Sequence, residues 1–325
     1  RTPTAAKRHN LQTKRILHST MLTCNGRILS TVSLLGAGLL LVNSKYMWSS
    51  SGHCQDLRGG RDSSQPYSGK CVPTKTTPSF QICIHDPKTD IYISKGLMLT
   101  GHFDKEIESA IKNISDELDN KSGKEKVFFD VGGNIGVFAL YAAKLGFNVH
   151  SVEPLIRNLE RFMSSIHLNG FKNIRVYPGA VSDTVGPVDL YAWEGNFGST
   201  FIPTGKDDKR LNASSVRYEG SALTFKLNDI LKGFKHIDIL KIDCEGHEEH
   251  VLRGMDAVLK ARMVQHIIIE LQPNVMQHGE ILLKSFKDAG YFISDLISKK
   301  SMTYEELGSL VADGKKILLN LHFHF

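Results

Sequence analysis

One acid and three glycines that accompany a short apolar run have the clearest chemical potential in this sequence. The run Val127–Val131 is apolar except for Asp130, as is typical of a strand covered on both faces in a parallel sheet. Gly132, Gly133 and Gly136 let the backbone turn sharply and predict free amide N–H groups at the start of a following helix. We therefore expect a ligand at the carboxyl end of this strand, and a loop that serves packing alone is the alternative.

The spacing of these residues distinguishes between two classes of ligand. The dinucleotide fingerprint G-x-G-x-x-G would need its first glycine at Val131, which disfavours an NAD-dependent oxidoreductase. The sequence instead has Asp130-x-Gly132-x-Asn134-x-Gly136, which resembles the first motif of S-adenosylmethionine (SAM) methyltransferases. The resemblance implies that the acid and the glycines face the amino-acid end of SAM, whose amine favours an anion and whose carboxylate favours backbone donors.

A second acid, Glu153, follows the next predicted strand, Phe147–Val152. In a doubly wound sheet, an acid at the tip of the second strand is placed to bind a ribose, because a carboxylate accepts hydrogen bonds from both hydroxyls. A helix N-cap acid before Pro154 and Leu155 is the alternative. Glu153 is therefore predicted to hold the ribose of a nucleoside cofactor.

Three charged side chains crowd the end of the fourth predicted strand of the sheet. Lys241, Asp243 and Glu245 alternate onto one face, and charges in a central strand are costly unless they are paired or used in chemistry. The pattern predicts reactive groups here, with a structural Lys–Asp ion pair as the alternative. The histidines His247 and His250 are three residues apart rather than four and lack a third ligand, so we predict a solvated helical turn and no metal site.

Strands and helices alternate from about residue 80 onward, which predicts a parallel sheet with ligands at its carboxyl edge. Strands are predicted to begin near residues 127, 147, 174, 237, 264, 291 and 317, the last of them antiparallel, with a hairpin at 80–94 and a strand pair at 188–193 and 223–227. The polar insert Glu194–Gly220 lies within that pair. It is predicted either to hold an acceptor substrate over the crevice or to be a surface loop.

The charge of the chain is unevenly distributed along the sequence. The formal net charge is +6, but the first 55 residues hold seven basic residues and no acid, so the rest holds 33 basic and 34 acidic residues. The basicity thus belongs to a leader, residues 1–55, and not to the folded domain. Nucleic-acid binding by a basic face is therefore not predicted.

The leader contains an uncharged segment of 15 residues, 28–42. Spanning a bilayer takes about 20 mostly apolar residues, so a span requires the flanking residues as well, with Tyr46 and Trp48 at the interface. We predict a basic tail at 1–27, a signal anchor at 28–45, a stem at 46–79 and the folded domain at 80–325. The domain would then lie in the lumen of the secretory pathway, as a single-pass type II protein of the Golgi or endoplasmic reticulum.

Other interpretations of the leader are open. A cleaved signal peptide would give a secreted protein, and an acid-poor transit peptide would give a mitochondrial one. A buried helix is a further possibility, and Met21 would start a compact signal sequence, so that residues 1–20 need not be native. An oxidising lumen would allow a disulfide among Cys54, Cys71 and Cys83, whereas a reducing compartment would leave free thiols.

An ordered set of motifs extends the resemblance from Phe80 to Leu296. The set comprises Asp130-Val-Gly-Gly-Asn-Ile-Gly136, Glu153-Pro154, Ala180-Val-Ser-Asp183, Gly198-Ser-Thr200, Lys241-Ile-Asp-Cys-Glu-Gly246, Glu248, Val251-Leu-Arg-Gly254 and Glu270. In this order the chain resembles the FkbM family of SAM-dependent methyltransferases, with Gly133 where many members have alanine. The resemblance implies an α/β fold with a Rossmann-like seven-strand sheet, SAM as cofactor, and O-methylation of hydroxyls on sugars or polyketides. The residues implied to bind SAM are Asp130, Gly132, Gly133, Asn134, Gly136, Glu153, Ser182, Asp183 and Asp243.

Methyl transfer from a sulfonium is an in-line displacement, so the acceptor hydroxyl must be aligned with the methyl–sulfur bond and must lose its proton. An alcohol is too weak an acid to ionise alone at neutral pH, so a base is expected beside the methyl group. The candidates, in order of preference, are Asp243, Glu245 and His247. We predict an O-methyltransferase that acts on a glycan hydroxyl, and an inactive membrane-tethered binding protein on the same fold is the alternative.

Overall fold

The structure is a computed structural model in which two compact units form, Arg1–Asp56 and Leu57–Phe325. It describes six short strands in the first unit and residues 69–120, 125–205, 208–271, 279–313 and 319–325 in the second. The six strands are β1 (Thr23–Cys24), β2 (Arg27–Ile28), β3 (Leu34–Leu35), β4 (Leu39–Val42), β5 (Tyr46–Trp48) and β6 (Cys54–Asp56). Neighbouring strands pair antiparallel, as β1–β2 and as β3–β4–β5–β6.

The predicted signal anchor, 28–45, lies partly outside the described residues, and its described parts belong to β2, β3 and β4. No helix among the residues that the structure describes is both long enough and apolar enough to cross a membrane. The basic tail at 1–27 and the stem up to residue 68 also lie largely outside the described residues.

The second unit begins with a disulfide-linked hairpin. Strand β7 (Cys71–Pro73) pairs antiparallel with β8 (Gln81–Cys83), and Cys71 and Cys83 are opposite each other and form a disulfide bond. The folded body therefore starts before residue 80, within the predicted stem. The hairpin predicted at 80–94 is wrong in its second strand, because Asp90 Oδ2 accepts hydrogen bonds from the Ser94 amide and hydroxyl and helix α1 (Ile93–Thr100) begins there.

A large sheet with helices on both faces follows. The remaining described elements of the unit, which also include the strands of a second sheet, are in chain order α2 (Lys105–Asn120), β9 (Val127–Val131), α3 (Val137–Lys144), β10 (Asn148–Glu153), α4 (Ile156–Asn169), β11 (Ile174–Pro178), β12 (Ala180–Val181), β13 (Gly186–Trp193), β14 (Asn196–Phe201), a 3₁₀ turn (Lys209–Asn212), β15 (Val216–Phe225), α5 (Leu227–Ile230), β16 (Ile237–Ile242), α6 (Glu248–Arg253), α7 (Asp256–Lys260), β17 (Val264–Leu271), α8 (Gly279–Ala289), β18 (Phe292–Asp295), β19 (Ser301–Met302), α9 (Tyr304–Ala312) and β20 (Leu319–His324).

The order of strands in the large sheet is β11-β10-β9-β16-β17-β20-β18-β19. Strands β9, β10, β11, β16 and β17 run parallel to one another, and β20 is antiparallel to both of its neighbours. The predicted mostly parallel sheet with an antiparallel last strand is confirmed, and the short edge strand β19 is added to the seven that were expected.

The predicted insert Glu194–Gly220 belongs to a second sheet, with the order β12-β15-β13-β14. Strand β14 and the first half of β15 lie within the insert, and β13 pairs antiparallel with both strands. The described part of the insert therefore contains two strand segments and a 3₁₀ turn joined by short loops, so it is not a loop throughout.

Alternate residues of the central strands point into two cores on opposite faces of the large sheet. Phe129 and Leu240 pack in one core against helices α5 to α9, whereas Phe128 and Ile239 pack in the other against α1 to α4. Both faces are covered, which explains why β9 is apolar except for Asp130 and why β17 has the apolar run Ile267–Ile269 at its centre. The carboxyl ends of β9, β10, β16 and β17 meet at one edge, where the charged residues collect.

Candidate active site

Gly132 is the point at which the loops after β9 and β16 touch. Its φ angle is +85°, and a Cβ atom there would lie 1.8 Å from the backbone oxygen of Asp243. The amide of Asp243 in turn donates a hydrogen bond to the carbonyl of Val131 at 3.1 Å. Only glycine combines this left-handed conformation with such a close approach, so the first glycine of the motif holds two strand ends together.

The backbone amides of this loop are already engaged. Gly132 and Gly133 both donate to the Val152 carbonyl, at 3.0 and 2.9 Å, and Gly136 donates to the Gly133 carbonyl. The amides of Asn134 and Ile135 donate to the side chains of Glu153 and Asn134, each at 2.8 Å. From Gly132 to Gly136 the predicted free N–H groups are therefore not available, because neighbouring carbonyl and side-chain acceptors bind them.

Glu153 is buried and makes the local hydrogen bonds that its position before helix α4 suggested. Its Oε1 accepts hydrogen bonds from the Leu155 amide and the Asn158 side chain, so it orders the start of α4, while its Oε2 accepts from Asn134. Burial raises the pKa of Glu153 to about 7, against the effect of these donors. The residue also lines a cleft at the sheet edge, where it is placed to meet a ligand hydroxyl.

Lys241 is 2% exposed and lies between two aspartates. Its Nζ is 3.0 Å from Asp243 Oδ2 and 3.9 Å from Asp130 Oδ1, and it sits 5.0 Å from the centre of the Phe138 ring. Neither oxygen of Asp130 has a hydrogen-bond partner among the residues that the structure describes. Burial raises the pKa of Asp130 to about 6, although Lys241 opposes this shift. The structural ion pair considered as an alternative is thus present, with Asp243 also facing the cleft.

The loop that follows β16 is fixed from two sides. Glu248 is buried and its Oε1 accepts hydrogen bonds from the amides of Cys244 and Gly246, at 2.9 and 3.1 Å. Arg210, from the second sheet's connecting segment, donates from Nη1 to the Glu245 carbonyl at 2.8 Å. Glu245 itself has a φ angle of +52°, so its side chain is presented by a strained but well-supported turn.

His247 is 5% exposed, so the predicted solvated turn at 247–250 is wrong. Its Nε2 lies 3.0 Å from Ser182 Oγ, and its ring stacks on that of His250, which contacts Asp183 Oδ1 at 3.1 Å. Burial lowers the pKa of His247 to about 3, so the imidazole is neutral. Ser182 and Asp183 are predicted to bind the cofactor, but the structure pairs them with these histidines and brings neither to the cleft walls.

Two adjoining clefts open at the carboxyl edge of the sheet. The first is bounded by Glu153, His247 and apolar side chains such as Val181, Leu190 and Ile202. The second is bounded by Tyr92, Phe103, Asp104, Lys241 and Glu270. Gly132, Asn134, Gly198, Asp243 and Glu245 line both. Of the remaining predicted site residues, Gly133 lines the second cleft, Gly136 packs on the Phe162 ring, and Asp130 lies behind the wall.

Glu270 is the acid that the ranking of bases omitted. One oxygen each from Asp243, Glu245 and Glu270 lies within 4.8 Å of the others, a geometry that could hold a metal ion, and it is the one such group among the described residues. Burial, with Asp243 next in effect, raises the pKa of Glu270 to about 8. Asp243 is predicted as a site residue because it is an acid at the carboxyl end of a central strand. Glu270 could have been found in the same way, because it is near the carboxyl end of the neighbouring parallel strand.

The chemistry of the first cleft suits a nucleoside sulfonium compound such as SAM. Glu153 offers carboxylate oxygens at the tip of the second strand, and Gly132 brings backbone close to the cleft. Asp130 and Asp243 lie beside a single lysine, Lys241, and Glu245 and Glu270 lie close to Asp243, a concentration of acidic groups that favours a cationic ligand.

A mostly parallel, doubly covered sheet with an acid–glycine loop and a cleft at its carboxyl edge defines the class of Rossmann-like methyltransferase folds. The sequence profile of the methyltransferase FkbM domain matches residues 130–293, half of the chain, so this chain belongs to the FkbM methyltransferase family. The resemblance found in the sequence motifs is thus confirmed.

Several solved methyltransferase structures are similar to the chain at low sequence identity. Precorrin-6y C5,15-methyltransferase from Geobacter metallireducens GS-15 is 9% identical, with a TM-score of 0.33 over 66% of this chain and 87% of that one. A SAM-dependent methyltransferase from Agrobacterium tumefaciens is 9% identical, with a TM-score of 0.39 over 86% and 76%. The bifunctional kinase-methyltransferase WbdD is 10% identical, with a TM-score of 0.42 over 72% of this chain and 43% of that one. No curated protein sequence matches the chain.

Proposed function

We propose that the protein is a SAM-dependent O-methyltransferase that methylates a hydroxyl of a sugar or glycan. The observation that carries this proposal is the pair of clefts that share a wall of glycine backbone and carboxylates. One cleft is bounded by the ribose-binding candidate Glu153, and the other by acids that suit a hydroxyl donor. Bound SAM supplies a methyl group on a positively charged sulfur.

The residues that line the two clefts have different tasks in this proposal. In the first cleft, Glu153 binds the ribose hydroxyls, and the apolar side chains exclude water from the adenine base of the cofactor. Asp243 is held by Lys241 at 3.0 Å, which fixes its second oxygen toward the junction of the clefts. The carboxylates at this junction stabilise the positively charged sulfur and accept the proton of the acceptor hydroxyl.

The proposed cofactor is tested by calorimetry with S-adenosylhomocysteine, the demethylated product. We expect binding to the wild-type protein and a loss of at least tenfold for Glu153→Ala, because a charge-assisted pair of hydrogen bonds is removed. Glu194→Ala is the matched control, since Glu194 is an exposed acid paired with Arg217. Binding of NAD in place of the methyltransferase product would contradict the proposal.

The proposed reaction is tested with isotope-labelled SAM and a panel of glycans. Transfer of label to a hydroxyl supports the O-methyltransferase, whereas binding without transfer to any acceptor favours the inactive binding protein.

We also propose that the domain functions in the lumen of the secretory pathway, anchored through residues 28–45. The proposal is supported by the seven-to-zero charge asymmetry of the leader and by the Cys71–Cys83 disulfide, which suits an oxidising compartment. The domain should be protected from protease in microsomes. Glycans should be added at one of the sequons Asn113-Ile-Ser115 and Asn212-Ala-Ser214. A protein released from membranes by salt would contradict it.

A further inference from the structure

Glu270 occupies a position that suits contact with the acceptor substrate. It is near the carboxyl end of β17, whose register places Ile268 beside Lys241 and Ile269 beside Ile242, so Glu270 follows next to Asp243. Its side chain lines the second cleft and is absent from the walls of the first. Among the base candidates, Asp243 and Glu245 line both clefts and His247 only the first. Glu270 and Asp104 are the acids that line the second cleft alone, and of these two Glu270 belongs to the acid group with Asp243 and Glu245.

The groups around Glu270 leave its carboxylate available. Asp243 is bound by Lys241, whereas the side chain of Glu270 makes no hydrogen bond to any residue that the structure describes. The charged groups that face it are Asp243, Glu245, Lys241, Glu248 and Asp104. Four of these five are acids, so a proton on Glu270 relieves repulsion, and the deprotonated form is a stronger base than an isolated carboxylate.

The opposite side of the second cleft can hold the body of an acceptor. Tyr92 is 61% exposed at the start of α1, and Phe103 and Ile93 continue this apolar side toward Asp104. An aromatic ring and an apolar side chain facing a group of acids suit a molecule with an apolar ring face and hydroxyls at its edge, as in a saccharide. Such a ring would place an edge hydroxyl toward Glu270.

We propose that Glu270 is the catalytic residue that accepts the proton of the acceptor hydroxyl, with Asp243 and Lys241 positioning the charges around it. This inference rests on the proposed methyltransferase function. The acceptor oxygen forms a bond to the methyl carbon while the carbon–sulfur bond breaks and its electron pair returns to sulfur. The hydroxyl proton moves to the Glu270 carboxylate and then to solvent, so the products are a methyl ether, S-adenosylhomocysteine and a proton.

A test that needs no acceptor uses sinefungin, in which a carbon bearing an amine replaces the sulfur and its methyl group. The ammonium of this analogue lies where the methyl group would be, so a base beside the methyl group would bind it. Calorimetry should show that the wild-type protein prefers sinefungin to S-adenosylhomocysteine by about tenfold or more, as for a hydrogen bond to a charged group. The preference should grow from pH 6.5 to 9 as Glu270 loses its proton.

Glu270→Gln should lose most of this preference and its pH dependence while it keeps its affinity for S-adenosylhomocysteine within about threefold, since the amide preserves shape without charge. Glu270→Asp keeps the charge at a shorter reach and should retain an intermediate preference. The matched control is Glu305→Gln, an exposed acid paired with Lys287, which should behave as wild type.

The outcomes separate this inference from the function on which it rests. If Glu270→Gln keeps the wild-type preference while Asp243→Asn or Glu245→Gln removes it, Glu270 is not the base and the proposed methyltransferase stands. If the wild-type protein binds both compounds equally, no carboxylate faces the methyl position and the inference is also wrong. If it binds neither compound, the proposed function itself fails.

Discussion

Lys241 is the residue on which the buried charges of the site depend. It is the cation between Asp130 and Asp243, and Asp130 has no hydrogen bond to compensate for its burial within the described part of the chain. A buried charge without a partner is far more costly than an ion pair, because neither water nor an opposite charge then stabilises it.

Lys241→Met should therefore lower the free energy of unfolding by about 3–5 kcal/mol, measured by urea denaturation. Adding Asp130→Asn should recover part of the loss, because a neutral amide is less costly to bury. The control is Lys284→Met, which removes an exposed pair with Asp288 and should cost less than about 1 kcal/mol. Equal effects of Lys241→Met and Lys284→Met would show that Lys241 is not structurally required.

At the scale of elements, the segment between β14 and β15 is bound to the loop that follows β16 through Arg210. The guanidinium contacts Asp208, lies 4.1 Å from the centre of the Phe201 ring and reaches the Glu245 carbonyl. The second sheet therefore helps to hold Glu245 in its left-handed conformation.

Arg210→Met should weaken S-adenosylhomocysteine binding by about tenfold or more, because a hydrogen bond from a charged donor is lost at the wall of both clefts. Calorimetry measures the affinity, and circular dichroism should show an unchanged fold. Arg217→Met, which removes an exposed pair with Glu194, is the matched control and should leave the affinity unchanged. An Arg210→Met protein with wild-type affinity would mean that the loop keeps its shape without this contact.

The disulfide-linked hairpin β7–β8 is tied to helix α4. The amides of Gln81 and Cys83 donate hydrogen bonds to the side chains of Asn169 and Ser165, at 2.8 and 2.9 Å. The disulfide between Cys71 and Cys83 closes a loop with a sequence separation of 12 residues, which restricts the unfolded chain.

Replacing both cysteines, as Cys71→Ser with Cys83→Ser, should lower the free energy of unfolding by about 2–3 kcal/mol in urea denaturation. Mass spectrometry after alkylation without reduction should find both cysteines unmodified in the wild-type protein. Alkylation of Cys71 or Cys83 under these conditions would contradict the disulfide.

At the scale of the whole molecule, buried titratable groups of two kinds make stability depend on pH in opposite directions. Burial raises the pKa of Glu153 and Glu248 to about 7 and that of Glu270 to about 8, so their stabilising effect is complete below the unfolded pKa and is lost as the pH rises through these values. Burial lowers the pKa of His247 and His322 to about 3, so their effect is complete above pH 6.5 and is lost in acid.

Between pH 6.5 and 8.5 the unfolded histidines lose only their last half proton, which adds about 0.4 kcal/mol for each, so the carboxylates dominate and the free energy of unfolding should fall by roughly 2–3 kcal/mol. Urea denaturation of the ligand-free protein at both pH values measures this difference. Glu270→Gln should show a smaller difference, since its side chain does not titrate. A stability that rises across this interval would contradict the raised pKa values.

The sequence by itself determined the parallel sheet and the edge at which the site lies. The relevant patterns are local: mostly apolar runs lead to Asp130 and Asp243, and an acid lies at the end of β10. The end of a parallel strand can be predicted because the sequence changes there from apolar to polar residues. Glycine spacing distinguished the methyltransferase motif from the dinucleotide fingerprint for the same local reason, because a tight turn is specified by a few adjacent residues.

Only the tertiary structure decided which polar groups are available and which are buried. The amides of the glycine loop are bonded to Val152 and Glu153, and His247 is enclosed by Ser182 and His250, through contacts between residues far apart in sequence. Likewise, Glu270 joins the acids of β16 because the parallel register sets neighbouring strand ends side by side. Exposure and partnership depend on this three-dimensional arrangement, which no local pattern contains.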